Sequence, residues 1–307
     1  MTIAATRSEP FAVGRPGLVE RLQVALPKLV LAPSFAAILL FVYGFILWTL
    51  YLSFTNSRMM PVYELIGFDA YRKLWAQPSW YTALQNLAIF GSLYIGLCII
   101  LGLLLAIFLD QKIRGEGVLR PIYLYPMALS FIVTGTAWKW FLNPGLGLEK
   151  TMHAWGWTSF HFDWLVNPQM AIYTVVIAGV WQASGFVMAM FLAGLRGIDG
   201  EIIKAAQIDG APAWQLYRRI IIPMLRPVFL SAFVVLAHLT IKSYDLVIAL
   251  TNAGPGGASQ LPSTFMYSFT FTRNQMAVGS ASAIMMLMTI VAIMVPYLYS
   301  ELREKGR

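Results

Sequence analysis

The chain has 307 residues, of which 58% are hydrophobic and 12% are charged, and its mean hydropathy is +0.67. Soluble domains carry about 25% charged residues, and no soluble fold of this size could bury so much apolar surface. One cysteine, Cys98, excludes an intrachain disulfide and a cysteine-rich metal site, and the three histidines show no HExxH or similar ligand spacing. The composition therefore predicts an integral membrane protein.

Six segments are long and apolar enough to cross a bilayer, which takes about 20 residues of helix. They cover residues 29–54, 84–109, 121–142, 170–193, 227–250 and 278–300. Pro126 interrupts the third segment, but membrane helices tolerate proline when neighbouring groups satisfy the freed backbone. Lys139 lies near the end of the same segment, where its long side chain can reach interfacial water. The predicted fold class is an all-α polytopic membrane protein with six transmembrane helices.

The distribution of basic residues indicates the orientation. Fifteen of the 22 Lys and Arg lie in the two terminal segments and in the second and fourth loops, whereas five lie in the other loops. Cytoplasmic loops carry the excess of positive charge, so both termini are predicted to be cytoplasmic in an inner-membrane, multi-pass protein. The net charge of +8 is thus a topology signal and not a sign of nucleic-acid binding. We divide the chain into a cytoplasmic segment (1–28), a membrane domain (29–300) and a cytoplasmic tail (301–307).

The N-terminal segment has two interpretations. From Leu18 to Leu26, apolar residues recur at helical spacing, with Glu20 and Arg21 on the other side. This pattern fits a short helix that lies on membrane lipid at the inner surface, and it fits equally a solvated lead-in to the first span.

The fourth loop, residues 195–227, predicts a helical hairpin. Residues 201–208 have helix-forming composition with one apolar side, and Asp209-Gly210 is a turn signal, because glycine readily adopts the left-handed conformation that closes a helix. Pro212 is then well placed in the first turn of a second helix. That second helix is predicted to end before the fifth span, at Pro223 and Pro227.

This loop resembles the cytoplasmic signature loop of the permeases of ABC importers, in which an EAA sequence is followed after three residues by glycine. The matching residues are Ala205, Ala206, Asp209, Gly210, Ala211 and Pro223. Lys204 replaces the acidic first residue of the motif, and Glu201, one turn earlier, could supply that charge. In the family this hairpin docks into a groove on the ATP-hydrolysing subunit, so the resemblance implies that these residues couple the chain to an ATPase.

Other stretches resemble the carbohydrate-uptake branch of that family, which includes the maltose and glycerol-phosphate permeases. These are YLSFTN (51–56), IGFDAYRKL (66–74) and YDLVIALTNAGPGG (244–257). The resemblance implies the permease subunit of an ATP-driven sugar importer, with a second permease subunit in a heterodimer, two ATPase subunits and an extracytoplasmic solute-binding protein as partners. The chain has no GxxxxGK[ST] loop for a nucleotide and no spacing of a nucleophile and a base. We therefore expect no cofactor, no metal and no catalytic residue in this chain. ATP-Mg is expected to bind to the partner ATPase subunits.

Three alternatives remain open at this point. The importer could carry glycerol phosphate or another anionic sugar derivative, with Lys242 as the charge partner. The chain could instead be an ATP-independent secondary transporter, although it shows no internal repeat and that function would leave the hairpin unexplained. A membrane-embedded assembly protein without a substrate is the third alternative.

Polar residues inside the spans are candidates for the substrate path, since ionisable groups in a membrane are costly. His238, Lys242 and Asp245 fall at i, i+4 and i+7 of the fifth span, which predicts one helical face beside Tyr244. Trp181, Gln182 and Ser184 lie near the centre of the fourth span. These groups suit the hydroxyls and C–H faces of a sugar. Equally, Lys242 and Asp245 could pair and brace the bundle, and His238 could simply pack against a neighbouring helix.

Overall fold

A computed structural model describes residues 18–111 and 115–305, in two compact units divided between Thr49 and Leu50. Every regular element among these residues is helical, apart from an isolated antiparallel bridge between Thr55 and Leu65. The all-α prediction is therefore confirmed. Residues 1–17 of the predicted N-terminal segment, like 306–307 of the tail, lie outside the described residues.

The described part of the first unit is one nearly continuous helix. Helix α1 (Leu18–Ile38) continues through a π-helical turn, Leu39–Tyr43, into α2 (Gly44–Leu52), and α2 ends three residues inside the second unit. Residues Lys28–Leu52 are long and apolar enough to span a membrane, and their large apolar side chains are mostly exposed, as expected for a helix in lipid. The predicted surface helix from Leu18 runs without a break into this span.

The second unit contains three long helices and a set of shorter ones. Its helices are α3 (Asp69–Trp75), α4 (Pro78–Asp110), α5 (Glu116–Ala128), α6 (Phe131–Phe141), α7 (Leu148–Ala154), α8 (Ala171–Arg196), α9 (Gly200–Ile208), α10 (Ala213–Leu216), α11 (Ile222–Met224), α12 (Arg226–Lys242), α13 (Asp245–Thr251), α14 (Pro262–Tyr267) and α15 (Met276–Lys305). Short π-helical segments follow α10 and α14.

Four helices in the described residues could each span a membrane alone, and the number rises to six if two bent pairs each count as one span. The four single spans are Lys28–Leu52, α4, α8 and Met276–Tyr297 of α15. The bent pairs are α5 with α6, at 100°, and the helical segment 213–224 with α12, at 63°. The third predicted span is therefore two helices, and the break lies beyond Pro126, because α5 runs through that proline and ends at Ala128.

The fifth predicted span, 227–250, is not one helix. Helix α12 ends at Lys242, and α13 begins at Asp245 after a sharp turn in which the Tyr244 N–H donates to the Lys242 carbonyl at 2.7 Å. Ser243 makes this break possible, because its hydroxyl donates to the Leu239 carbonyl at 2.8 Å. The Ser263 hydroxyl in turn donates to the Ser243 carbonyl at 3.2 Å. Backbone groups freed inside a membrane protein need such partners.

Helix α8 lies at the centre of the second unit and packs against α4, α5, α12 and α13. Gly185 allows the closest approach, since a Cβ there would lie 1.8 Å from the carbonyl oxygen of Tyr123 on α5. Gly135 does the same for the two half-helices α6 and α13, where a Cβ would lie 2.7 Å from the Cβ of Ala249. Small residues therefore set how the broken spans pack.

A buried amide holds the irregular loop that follows α13. Asn86 on α4 is 6% exposed, and its Nδ2 donates to the carbonyls of Ala258 at 2.8 Å and Gln260 at 3.0 Å. The same loop passes through a left-handed backbone at Asn252 and Ala253, with φ of 51° and 66°. Two hydrogen bonds from one buried side chain thus stabilise a loop whose own backbone conformation is unfavourable.

We expect Asn86→Ala to lower the free energy of unfolding by about 1–3 kcal/mol, because two buried carbonyls lose their donor. Thermal unfolding in detergent measures this effect. Gln85→Ala is the matched control, since Gln85 is exposed on the same helix and surface substitutions usually change stability by less than about 0.5 kcal/mol. Equal unfolding temperatures for the two variants would contradict the role of Asn86.

Candidate functional site

The predicted hairpin is present, and its first helix has well-defined ends. Asp199 caps α9, with its carboxylate accepting from the Glu201 N–H at 2.9 Å. At the other end the Ala211 N–H donates to the Ala206 carbonyl at 3.0 Å, and the Gly210 N–H donates to the Gln207 carbonyl at 3.1 Å. Gly210 has φ of +76°. This pair of bonds around a left-handed glycine is the Schellman closure of a helix.

The hairpin presents one face to the protein and another to its surroundings. Ala206 is 8% exposed and joins the hydrophobic core with Leu216 and Ile221. In contrast, Ile208 is 86% exposed and Trp214 is 70% exposed. Of the other residues matched to the coupling motif, Ala211 is half-buried, whereas Glu201, Lys204, Ala205, Asp209, Gly210 and Pro223 are exposed. The hairpin therefore carries an exposed face on which apolar and charged side chains alternate.

Ion pairs connect the ends of three helices, α4, α5 and α8, where the hairpin begins. Arg196, the last residue of α8, donates to Glu116 at the start of α5 at 2.6 Å and lies 3.7 Å from Asp110 at the end of α4. Gln111 donates to the hydroxyl of Tyr217 at 2.9 Å. These contacts join the start of the hairpin, and Tyr217 of its second arm, to the ends of the membrane helices.

Lys204, the departure from the motif, is paired within its own helix. Its ammonium nitrogen lies 3.0 Å from a carboxylate oxygen of Glu201, and both side chains are largely exposed. Such an exposed pair contributes less than about 1 kcal/mol. Both charges thus remain accessible to a partner. That Glu201 supplies the negative charge of the acidic motif residue, which Lys204 replaces, stays a prediction.

The prolines of the fourth loop do not occupy the helix positions that the sequence predicted. Pro212 is the residue before α10 and has an extended backbone, so it precedes the second helix instead of lying in its first turn. Pro223 does not end that helix, because it lies within α11, in the first turn where proline is tolerated. The chain bends at Leu225 and enters α12 with Pro227 in the first turn. The second arm of the hairpin is therefore continuous with the fifth span through a bend of 63°.

The predicted polar face of the fifth span is wrong, because the helix on which it depends breaks between Lys242 and Asp245. Lys242 and Asp245 are both exposed, and no ion pair within 4.0 Å joins them in the described part of the chain. The bracing interpretation thus lacks the contact that it requires. The third residue, His238, lines an apolar cavity of about 240 Å³ between α12 and α15. Tyr244 packs against Tyr267, with ring centroids 4.9 Å apart.

Gln182 has a structural role that the sequence did not reveal. It is 3% exposed, and its Nε2 donates to the carbonyl of Leu129 at 2.8 Å, at the break between α5 and α6. The amide therefore satisfies backbone that the 100° bend releases. Its Oε1 is buried and has no hydrogen-bond partner among the described residues.

Beside this break lies a cleft of about 240 Å³, lined by Leu129, Thr134, Ala137, Trp138, Phe141 and Trp181. The indoles of Trp138 and Trp181 meet edge to face, with centroids 5.8 Å apart. The Thr134 hydroxyl is buried and unpartnered, like the amide oxygen of Gln182. Aromatic walls with a few polar groups are typical of small-molecule sites. We refer to this feature as the tryptophan cleft.

Trp181 is a residue predicted from the sequence, whereas Thr134 and Trp138 are not. Helix α6 presents Trp138 to the cleft and Trp140 outward, 72% exposed. Trp138 lies one helical turn after Thr134, so the sequence spacing could have predicted that the two side chains share one face of a helix. Ser184, which the sequence analysis also selected, is half-buried one turn after Trp181 on α8.

A larger and more polar cavity, of about 610 Å³, lies where the 55–77 segment meets the start of α15. Three cationic residues, Arg58, Lys73 and Arg273, are among its lining residues, together with amide side chains such as Asn56 and Gln77. The Arg273 guanidinium also stacks on the ring of Phe269 at 4.5 Å. This cavity is suited to an anionic group.

Comparisons with known proteins agree with this architecture. Residues 98–304 match the sequence family described as binding-protein-dependent transport system inner membrane component. A probable ABC transporter permease protein of Pyrococcus horikoshii is 40% identical over 91% of this chain and 96% of its own length. The xylose/arabinose import permease protein of Haloferax volcanii is 33% identical over 86% of this chain and 84% of its own length.

The fold has been seen in a solved structure. A chain of a bacterial ABC transporter involved in the import of the acidic polysaccharide alginate superposes with a TM-score of 0.80, over 93% of this chain and 98% of that one, at 20% identity. At this level of identity the similarity concerns the fold alone.

Proposed function

The chain belongs to the family of binding-protein-dependent transport system inner membrane components, and we propose that it is the permease subunit of an ATP-driven importer for a mono- or oligosaccharide. Its relatives support a sugar as cargo. They include the xylose/arabinose permease of Haloferax volcanii and the trehalose/maltose transport system permease protein of Thermococcus litoralis, which is 29% identical over 90% of this chain.

The hairpin carries the proposal. It exposes Ile208 and Trp214 beside charged residues while Ala206 anchors it in the core, which is the composition expected of a docking surface with apolar anchors and a polar rim. In this proposal a separate ATPase binds that face, ATP-Mg is held by the ATPase, and the chain contributes no catalytic residue. The coupling residues are those of the motif from Glu201 to Ala211, with the Pro223 region as the second arm.

Helix α8 provides the mechanical link between hairpin and cargo path. It carries Trp181 in the tryptophan cleft and ends at Arg196, 15 residues or about 22 Å further along. The hairpin follows directly. A displacement of α9 by the ATPase would thus move a buried helix whose middle lines the cleft. We propose the tryptophan cleft as a stretch of the sugar path, in place of the broken face of the fifth span.

The proposed assembly contains a second permease subunit, two ATPase subunits and an extracytoplasmic binding protein, with both termini of this chain in the cytoplasm. Mild purification of the tagged chain from its own membranes, followed by mass spectrometry, tests the partners. Reporter fusions at residues 115, 160, 210 and 260 test the orientation and should read inside, outside, inside and outside.

Uptake into vesicles that contain the purified assembly distinguishes the classes of transporter. We expect accumulation of labelled sugar only with internal ATP and added binding protein. Sugar accumulation without ATP, in a preparation that lacks an ATPase subunit, would show an ATP-independent transporter.

A second candidate cargo is an anionic sugar derivative, which the cavity beside Arg58, Lys73 and Arg273 favours. The same vesicles test it by competition. A sugar phosphate or uronate that blocks uptake better than the matching neutral sugar would support the anionic cargo, and loss of this preference in Lys73→Gln would connect it to the cavity.

A further inference from the structure

Two of the three histidines of this chain meet in the loop between α6 and α8. His153 lies on α7, one turn after Glu149 on the same face, and His161 follows eight residues later. One ligand atom from each of these three residues lies within 4.8 Å of the other two. The sequence analysis found no ligand spacing among the histidines, because it did not combine them with a carboxylate four residues earlier on a helix.

The hydrogen bonds prepare His153 to ligate a metal. Its Nε2 lies 2.7 Å from the carbonyl oxygen of Phe160. A carbonyl only accepts, so Nε2 carries the proton and Nδ1 of the neutral ring keeps its lone pair. A backbone carbonyl that holds the far ring nitrogen is the usual outer partner of a metal-binding histidine, because it fixes both the tautomer and the ring orientation.

Glu149 is likewise held as a charged, oriented carboxylate. One oxygen accepts from Nδ1 of His161 at 3.1 Å and the other accepts from the Phe162 N–H at 3.2 Å. These two hydrogen bonds orient the carboxylate, whose oxygens can act as metal ligands.

The spacing of the three groups suits a small tetrahedral ion. Zinc binds nitrogen and oxygen at about 2.0–2.2 Å, which sets ligand atoms about 3.3–3.6 Å apart around a tetrahedron. The Glu149 to His161 separation of 3.1 Å is close to this value, and the remaining separations between ligand atoms are at most 4.8 Å. Two histidines and a carboxylate leave a fourth position for water, as in open zinc sites.

We propose that Glu149, His153 and His161 bind a divalent transition-metal ion of the zinc type, which fixes α7 to the segment that follows it. Binding replaces the hydrogen bond between His161 and Glu149: the ring takes the tautomer with its proton on Nε2, and Nδ1 is then free to bind the ion as a neutral imidazole nitrogen. The proposal concerns this loop alone and holds for any cargo.

The test is a titration of the metal-free, purified full-length chain in lipid nanodiscs with Zn²⁺ alone, followed by calorimetry. Co²⁺ in place of Zn²⁺ reports tetrahedral geometry through its visible absorption. We expect one ion per chain and a loss of affinity of at least about 100-fold in His153→Ala and in His161→Ala, since even an outer-sphere partner contributes about 10–100-fold.

Two matched controls separate this site from general attraction to metal. His238→Ala removes the third histidine and Asp163→Asn removes an exposed carboxylate of the same loop, and both should bind Zn²⁺ as the unaltered chain does. Glu149→Gln covers the case in which a histidine variant fails to fold, because it keeps an acceptor for the Phe162 N–H and loses the charge and the second acceptor oxygen. We expect at least a tenfold weaker affinity in Glu149→Gln. Zinc affinity unchanged in Glu149→Gln, or lowered equally in His238→Ala, would overturn the proposal, as would the absence of stoichiometric binding in the unaltered chain.

Discussion

Gly210→Val is expected to abolish sugar uptake while the chain still inserts into the membrane. Gly210 closes α9 with φ of +76°, and a β-branched residue resists this conformation by about 1–2 kcal/mol or more. Apart from Gly210 and the adjoining chain, no atom of the described residues lies within 4 Å of where a Cβ would stand, so the effect is conformational and not steric. The turn would open, and the exposed face of the hairpin would no longer meet the ATPase in one orientation.

The hairpin supplies its own controls for this experiment. Gly200 begins α9 with an ordinary backbone and equally open space, so Gly200→Ala should transport normally. Gly210→Asn should retain most activity, because asparagine tolerates the left-handed region. Uptake per inserted chain and the amount of co-purified ATPase are the measurements. Normal uptake and normal ATPase association in Gly210→Val would remove the coupling role of this turn.

Trp181→Ala is expected to reduce uptake by at least about tenfold, with normal abundance of the assembled complex. Trp181 is 40% exposed and forms one wall of the tryptophan cleft against Trp138. Under the proposal that the cleft is part of the sugar path, the substitution removes one aromatic wall against which a sugar would pack. A tenfold change corresponds to about 1.4 kcal/mol of transition-state stabilisation, which is within the contribution of one aromatic contact.

Trp140→Ala is the matched control, since this tryptophan lies on the same half-helix as Trp138 but is 72% exposed and does not line the cleft. Thr134→Val tests the polar part of the site, because it removes the unpartnered hydroxyl and keeps the volume. It should change the rate or the selectivity among sugars. If Trp181→Ala and Trp140→Ala transported equally well, the cleft would be a packing defect and not a cargo site.

The sequence by itself determined those features that depend on local chemistry. The apolar segments predicted an all-α membrane protein because a bilayer demands long runs of apolar helix. Asp209-Gly210 predicted the hairpin turn because few residues accept a left-handed backbone. The predicted helix 201–208 differs from α9 only by one residue at its start, because a capping residue precedes the helix and a glycine closes it.

Only the tertiary structure decided where the spans break and which side chains meet. Ser243 and Tyr244 interrupt the fifth span because Ser263, from a distant segment, satisfies the freed carbonyl, and no local pattern reveals that partner. Gln182 supports the break in the third span in the same way. Trp138 and Trp181 face each other only because the 100° bend turns α6. Periodicity assumes a continuous helix, and long-range hydrogen bonds determine where a membrane helix can end.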